Sequence, residues 1–64
     1  MNYNIVKDLL YKGYKLKKYN WSKDTFLSLD ENSSVVLNKS ENYKLKFLPG
    51  IEDLKSNDWT IKYD

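Results

Sequence analysis

Tyr19, Trp21 and Lys23 alternate aromatic and cationic side chains through a polar stretch, Tyr19-Asn20-Trp21-Ser22-Lys23-Asp24. Such interleaving suits a ligand with both a base and phosphates. An indole offers a flat face to a purine, and an ammonium holds a phosphate as a point charge. A second tryptophan, Trp59, follows Asp58 at another turn. The plainer reading is that each indole plugs one end of a small core. Lys15, Lys17 and Lys18 form a basic cluster that is more commonly a solvated face than a phosphate clamp.

Catalytic chemistry finds little purchase. Nucleophilic catalysis needs an activated serine, cysteine or lysine beside a base, and the chain has neither histidine nor cysteine. The acidic pairs Asp30-Glu31 and Glu52-Asp53 sit in polar turns, where solvation is the expected fate of both. Gly13 and Gly50 are isolated turn residues, so no glycine-rich phosphate loop is present. No ligand spacing of the EF-hand type occurs. The expectation is a non-enzyme with no catalytic residue, no metal site and no cofactor.

Sixty-four residues make a single small domain, residues 1–64. A chain of this size buries roughly 60% of the surface its unfolded form exposes. No disulfide or imidazole–metal staple is available, so oligomerisation is the remaining common remedy. Six tyrosines, two tryptophans and two phenylalanines provide aromatic surface for such an interface. The expected state is a homo-oligomer, a dimer or a tetramer built from dimers. No apolar run approaches the roughly 18 to 20 residues of a membrane span, and Asp8 and Lys12 bracket the leucine pair near the N-terminus. The expected location is therefore the bacterial cytosol, with no membrane partner. Eleven lysines against nine acids give a net charge of +2 without any arginine. A duplex binder usually shows a larger excess and arginine forks, so only weak nucleic-acid binding is expected. The missing arginine itself reads as the codon usage of an AT-rich genome.

Asn2 or Asn4 can cap a helix running to about Lys12, with Ile5, Val6, Leu9 and Leu10 on one face. Gly13 stands where the residue after a helix needs positive φ. Strands are predicted at 14–19, 25–29, 34–37 and 43–47, separated by polar turns. In the second, Thr25, Leu27 and Leu29 share a face opposite Phe26 and Ser28. In the fourth, Tyr43, Leu45 and Phe47 read as core. Pro49-Gly50 makes a corner before a helical turn at 51–56 and a closing strand at 59–63. The fold class is α+β: an N-terminal helix packed on an antiparallel sheet of about five short strands, drawn as a meander.

Several of these short motifs follow one another in an order that resembles a known family. The opening helix ends in Leu9-Leu10-Tyr11-Lys12-Gly13-Tyr14-Lys15. Lys17-Lys18-Tyr19-Asn20-Trp21 places a basic residue before a tryptophan, and Phe26-Leu27 follows in a strand. Pro49, Asp53-Leu54 and Asp58-Trp59-Thr60-Ile61 close the chain. In this order the chain resembles the second Thoeris anti-defence family of phage proteins. Lysine stands where that family usually carries arginine before the first tryptophan, giving a point charge in place of a bidentate fork. The resemblance implies a homo-oligomeric sponge that sequesters a cyclic nucleotide-type immune signal, cyclised ADP-ribose or a cyclic dinucleotide, without cleaving it.

The resemblance and the side-chain chemistry together nominate Trp21, Trp59, Asp58 and Lys18 for a nucleotide pocket at a subunit interface, with Asn20 and Lys23 beside them. In that pocket the indoles would stack on a base, the lysine would meet a phosphate, and the carboxylate would accept from a ribose hydroxyl or base amine. The competing assignment puts Trp59 in the core and lets Asp58 cap the turn before it. Two other functions remain open: a small phage protein that inhibits a host protein by direct contact, and a weak nucleic-acid-binding module.

Overall fold

A computed structural model of the chain describes residues 1–40 and 42–63. Seven elements follow in order: α1 (Tyr3–Leu10), β1 (Leu16–Lys18), β2 (Phe26–Leu29), β3 (Val35–Ser40), β4 (Tyr43–Lys46), α2 (Ile51–Lys55) and β5 (Trp59–Ile61). The strands form one antiparallel five-stranded sheet, ordered β4-β3-β2-β1-β5. The first four make the expected meander. The fifth does not extend it but returns to pair with β1 at the opposite edge. Among the described residues, no helix is long and apolar enough to cross a membrane.

The helix forms where its caps dictate. Asn2 Oδ1 accepts from the Ile5 amide at 3.0 Å, filling one of the orphan donors of the first turn. At the other end Gly13 takes φ +96°, and the amides of Gly13 and Tyr14 return to the carbonyls of Leu10 and Leu9. The buried stripe is Tyr3, Val6 and Leu10, with Leu9 half-buried. Ile5 is 64% exposed, contrary to its expected place on the core face. Tyr3 takes the inner position instead, its ring 5.2 Å from that of Trp59 and 6.0 Å from that of Phe47.

Strand register decides which side of the sheet each residue occupies. Leu45, Leu37, Leu27, Leu16 and Ile61 lie directly opposite one another across the five strands. This row faces α1, which packs on β1, β2 and β5. Leu16 and Leu27 are fully buried, whereas Leu45 is 39% and Tyr43 54% exposed. Both were expected in the core, but the helix is too short to cover β4. Phe47, the third of that set, is half-buried against the core.

The β2–β3 connection is a tight polar turn. Asp30 Oδ1 accepts from the amides of Asn32 and Ser34 at 2.9 and 2.8 Å, and Ser33 adopts φ 63°. Strand β3 runs on through Ser40, into the segment expected to turn at 39–42, and Glu41 of that segment lies outside the described residues.

Candidate functional site

Of the six nominated residues, Trp21, Trp59 and Lys18 pack against one another, whereas Lys23 lies apart at the β1–β5 edge. Lys18, opposite Trp59 in the β1–β5 ladder, points to the helix side, as Leu16 does. Trp59 is completely buried there, ringed by Tyr3, Phe47 and Trp21, the last meeting it edge-on at 5.3 Å. Its Nε1 donates to the Asp53 carbonyl at 2.9 Å. A ring with no exposed surface has no face for a base, so in the protomer Trp59 is core. Trp21 is half-buried beside it.

Lys18 is equally committed. Its Nζ donates to Asp53 Oδ1 at 2.7 Å and lies 5.3 Å from the centroid of the Trp59 ring. The second oxygen of Asp53 accepts from the Gly50 amide at 3.0 Å, which caps α2. The Lys18 hydrogen bond foremost, then the Gly50 amide, holds the Asp53 carboxyl below the usual carboxylate range. The expectation of a solvated Glu52-Asp53 pair thus fails for Asp53, while Glu52 is exposed. Asp58 accepts from Ser56 Oγ through its side chain and from the Tyr19 amide through its carbonyl, the turn-holding role first weighed against ligand binding. Asn20 is exposed in the turn after β1.

Lys23, in contrast, lines a cleft. That cleft, about 540 Å³, opens at the β1–β5 edge, and Lys17, Tyr19, Asp24, Thr60, Lys62 and Tyr63 contribute to it beside Lys23. Lys17 and Thr60 are register partners and so face away from α1. Tyr19 is 71% and Tyr63 81% exposed, leaving ring surface available to a ligand. The volume falls within the range of small-molecule sites, roughly 300–1,000 Å³. Cationic groups, phenol rings and one carboxylate surround it, a set that can hold a phosphate, stack on a base and accept from a hydroxyl.

Sequence reasoning missed Asp24, Thr60, Lys62 and Tyr63 as cleft residues, and it weighed Lys17 only as part of a basic cluster read as a solvated face. Part of the signal was present, since Leu16 inward places Lys17 outward and Trp59 inward places Thr60 outward. The missing part was the pairing of β5 with β1, which brings the two outward sets side by side. Among the described residues, no group of three or more carboxylates gathers as a metal site would require. No protein-family model, no curated protein and no solved structure matches the chain.

Proposed function

We propose that this protein captures a nucleotide-type signal, cyclised ADP-ribose or a cyclic dinucleotide, and sequesters it intact as a phage anti-defence sponge. The observation that carries the reading is the cleft at the β1–β5 edge. Lys17 and Lys23 supply ammonium groups for phosphate, Tyr19 and Tyr63 supply ring faces for a base, and Asp24 and Thr60 supply partners for ribose hydroxyls. The order of motifs shared with the second Thoeris anti-defence family adds support. Sequestration acts by mass action, so the dissociation constant must lie near or below roughly 1 μM, about −8 kcal/mol.

Self-association belongs to the same proposal. Leu48 is 77% and Ile51 70% exposed, flanking the Pro49-Gly50 corner, and the edge strand β4 is exposed at every residue. Apolar surface of this kind, beside an edge strand, favours a dimer or a tetramer built from dimers in the host cytosol.

The deciding experiment incubates the purified protein with cyclic nucleotides and cyclised ADP-ribose isomers, removes unbound ligand and then heats the complex. Release of unaltered ligand is expected, and the Lys17→Ala/Lys23→Ala double variant should retain none while melting as the wild type does. Recovery of hydrolysed ligand would make the protein an enzyme. Absence of any retained ligand would overturn the reading.

A further inference from the structure

The net charge of +2 is not evenly spread, since the side of the sheet away from α1 gathers lysines. Strand register sends Lys17 of β1 and Lys44 and Lys46 of β4 to the side away from α1. Phe26 shares that side, and the ammonium groups of Lys15 and Lys62 each lie 5.1 Å from its ring centroid. Among the described residues, Asp8 lies on α1, Asp30 and Glu31 in the β2–β3 turn, Glu52 and Asp53 on α2, and Asp58 in the turn before β5. Among the described residues, Asp24 is the carboxylate that lines the clefts of the open side.

Those clefts mark a path along the face. The first, at the β1–β5 edge, adjoins a second of about 250 Å³ formed by Asp24, Phe26, Asn38, Ser40 and Lys44. Asp24 belongs to both, and Phe26 lies between the lysines of β1 and those of β4. Four strand spacings of about 4.8 Å make the face about 19 Å wide. A compact single nucleotide occupies one end of such a path and leaves the rest unused.

We propose that the open face binds a short single strand of nucleic acid, laid from the β1–β5 cleft across Phe26 to Lys44 and Lys46. The proposal rests on the preceding one for the first cleft and extends its ligand from one nucleotide unit to a phosphodiester chain. Lysines at both ends of the face meet the backbone, while the exposed Tyr19 and Tyr63 offer ring surface to bases and Phe26, capped by the Lys15 and Lys62 ammonium groups, holds those two cations on the face. An acidic peptide would satisfy the lysines and leave the rings unused. Binding is sequence-tolerant because no arginine fork is available. The one buried amide of the face, Asn38, already donates to the Phe26 carbonyl at 3.2 Å and to Ser28 Oγ at 2.9 Å.

A length series tests this. Fluorescence anisotropy with labelled mono-, di-, tetra- and octanucleotides of uridine or thymidine should show affinity rising to about four nucleotides and then levelling. The salt dependence for the tetranucleotide should follow a log–log slope of about −2 to −3, as three or four neutralised phosphates require. Lys44→Gln/Lys46→Gln, on the edge strand β4, should weaken the tetranucleotide at least tenfold. The same variant should leave a cyclic mononucleotide in the first cleft unaffected and melt as the wild type does. Equal affinity for one and four nucleotides, or no effect of the β4 variant, overturns the extended path and leaves the cleft reading standing. Failure of every nucleotide, cyclic or linear, overturns both. Tighter binding of a poly-glutamate peptide than of the tetranucleotide reassigns the face to an acidic protein partner and overturns the proposal.

Discussion

Lys18 and Asp53, 35 positions apart in the chain, meet through a 2.7 Å bond that fastens α2 to the first strand over the buried face of Trp59. Asp53 serves three contacts at once: the Lys18 ammonium, the Gly50 amide and, through its carbonyl, the Trp59 indole. The pair was first read as a phosphate-binding lysine and a solvated acid. Together they form a structural lock on the last part of the fold.

That lock has a pH signature. A carboxyl held below its unfolded value of about 3.9 stabilises the fold fully above that value. The contribution then fades as pH falls through the lower folded-state value. Urea titrations from pH 6 to pH 2 should show stability declining below about pH 4. Asp53→Asn should reduce stability at pH 6 and flatten the decline, and a variant that declines as steeply as the wild type would assign the acid sensitivity to other carboxylates. Lys18→Ala should cost about 1–2 kcal/mol at pH 6, from the ion pair and from the stem that covers Trp59.

The tryptophans should separate cleanly by melting. Trp59→Ala removes a wholly buried ring and its hydrogen bond, for about 3–5 kcal/mol, enough to unfold so small a domain. Trp21→Ala, half-buried, should cost about 1–2 kcal/mol and leave a folded protein. That folded variant should still retain ligand, since Trp21 does not line the cleft. Lost retention in a folded Trp21→Ala protein would restore the indole to the binding site.

Ser33 holds a left-handed backbone conformation that a Cβ disfavours. Ser33→Gly should raise stability by about 0.5–1 kcal/mol, seen as an upward shift in melting temperature. A lower melting temperature would mean that the hydroxyl contributes more than the backbone strain costs.

Self-association should depend on the Pro49-Gly50 corner. Sedimentation equilibrium at micromolar concentration should give a dimer or larger species. Leu48→Asp combined with Ile51→Asp should yield a folded monomer, because both side chains are mostly exposed in the protomer. A wild-type chain that sediments as a monomer of 7.7 kDa would overturn the oligomer proposal.

The elements were legible because local signals mark them: Asn2 and Gly13 at the ends of α1, alternation in β2, and the Pro49-Gly50 corner before α2. Register within the meander followed from the same alternation, so Leu27 and Phe26 went to the correct sides. Three things were not legible. Ile5 and Tyr3 compete for one inner position on an eight-residue helix, and only the position of Trp59 and Phe47 decides for Tyr3. Tyr43 and Leu45 alternate as core residues do, yet the edge they occupy lies beyond the reach of α1. The candidate site depended on the least local fact of all, the return of β5 to β1, which no composition or spacing encodes.

That return also sets the order in which the protein can fold. The Trp59 amide donates to the Met1 carbonyl at 3.1 Å, and the N-terminal ammonium reaches the Trp59 carbonyl 58 positions away at 3.2 Å. The hairpins of β1 to β4 close short loops and can form early. The core cannot seal until the chain's most distant segments find each other, and that search is the slow kind of contact. During synthesis, the space among Tyr3, Trp21 and Phe47 therefore stays unfilled until Trp59 emerges. A pulse of hydrogen exchange during refolding should find the β2–β3 amides protected first and the Trp59 amide last.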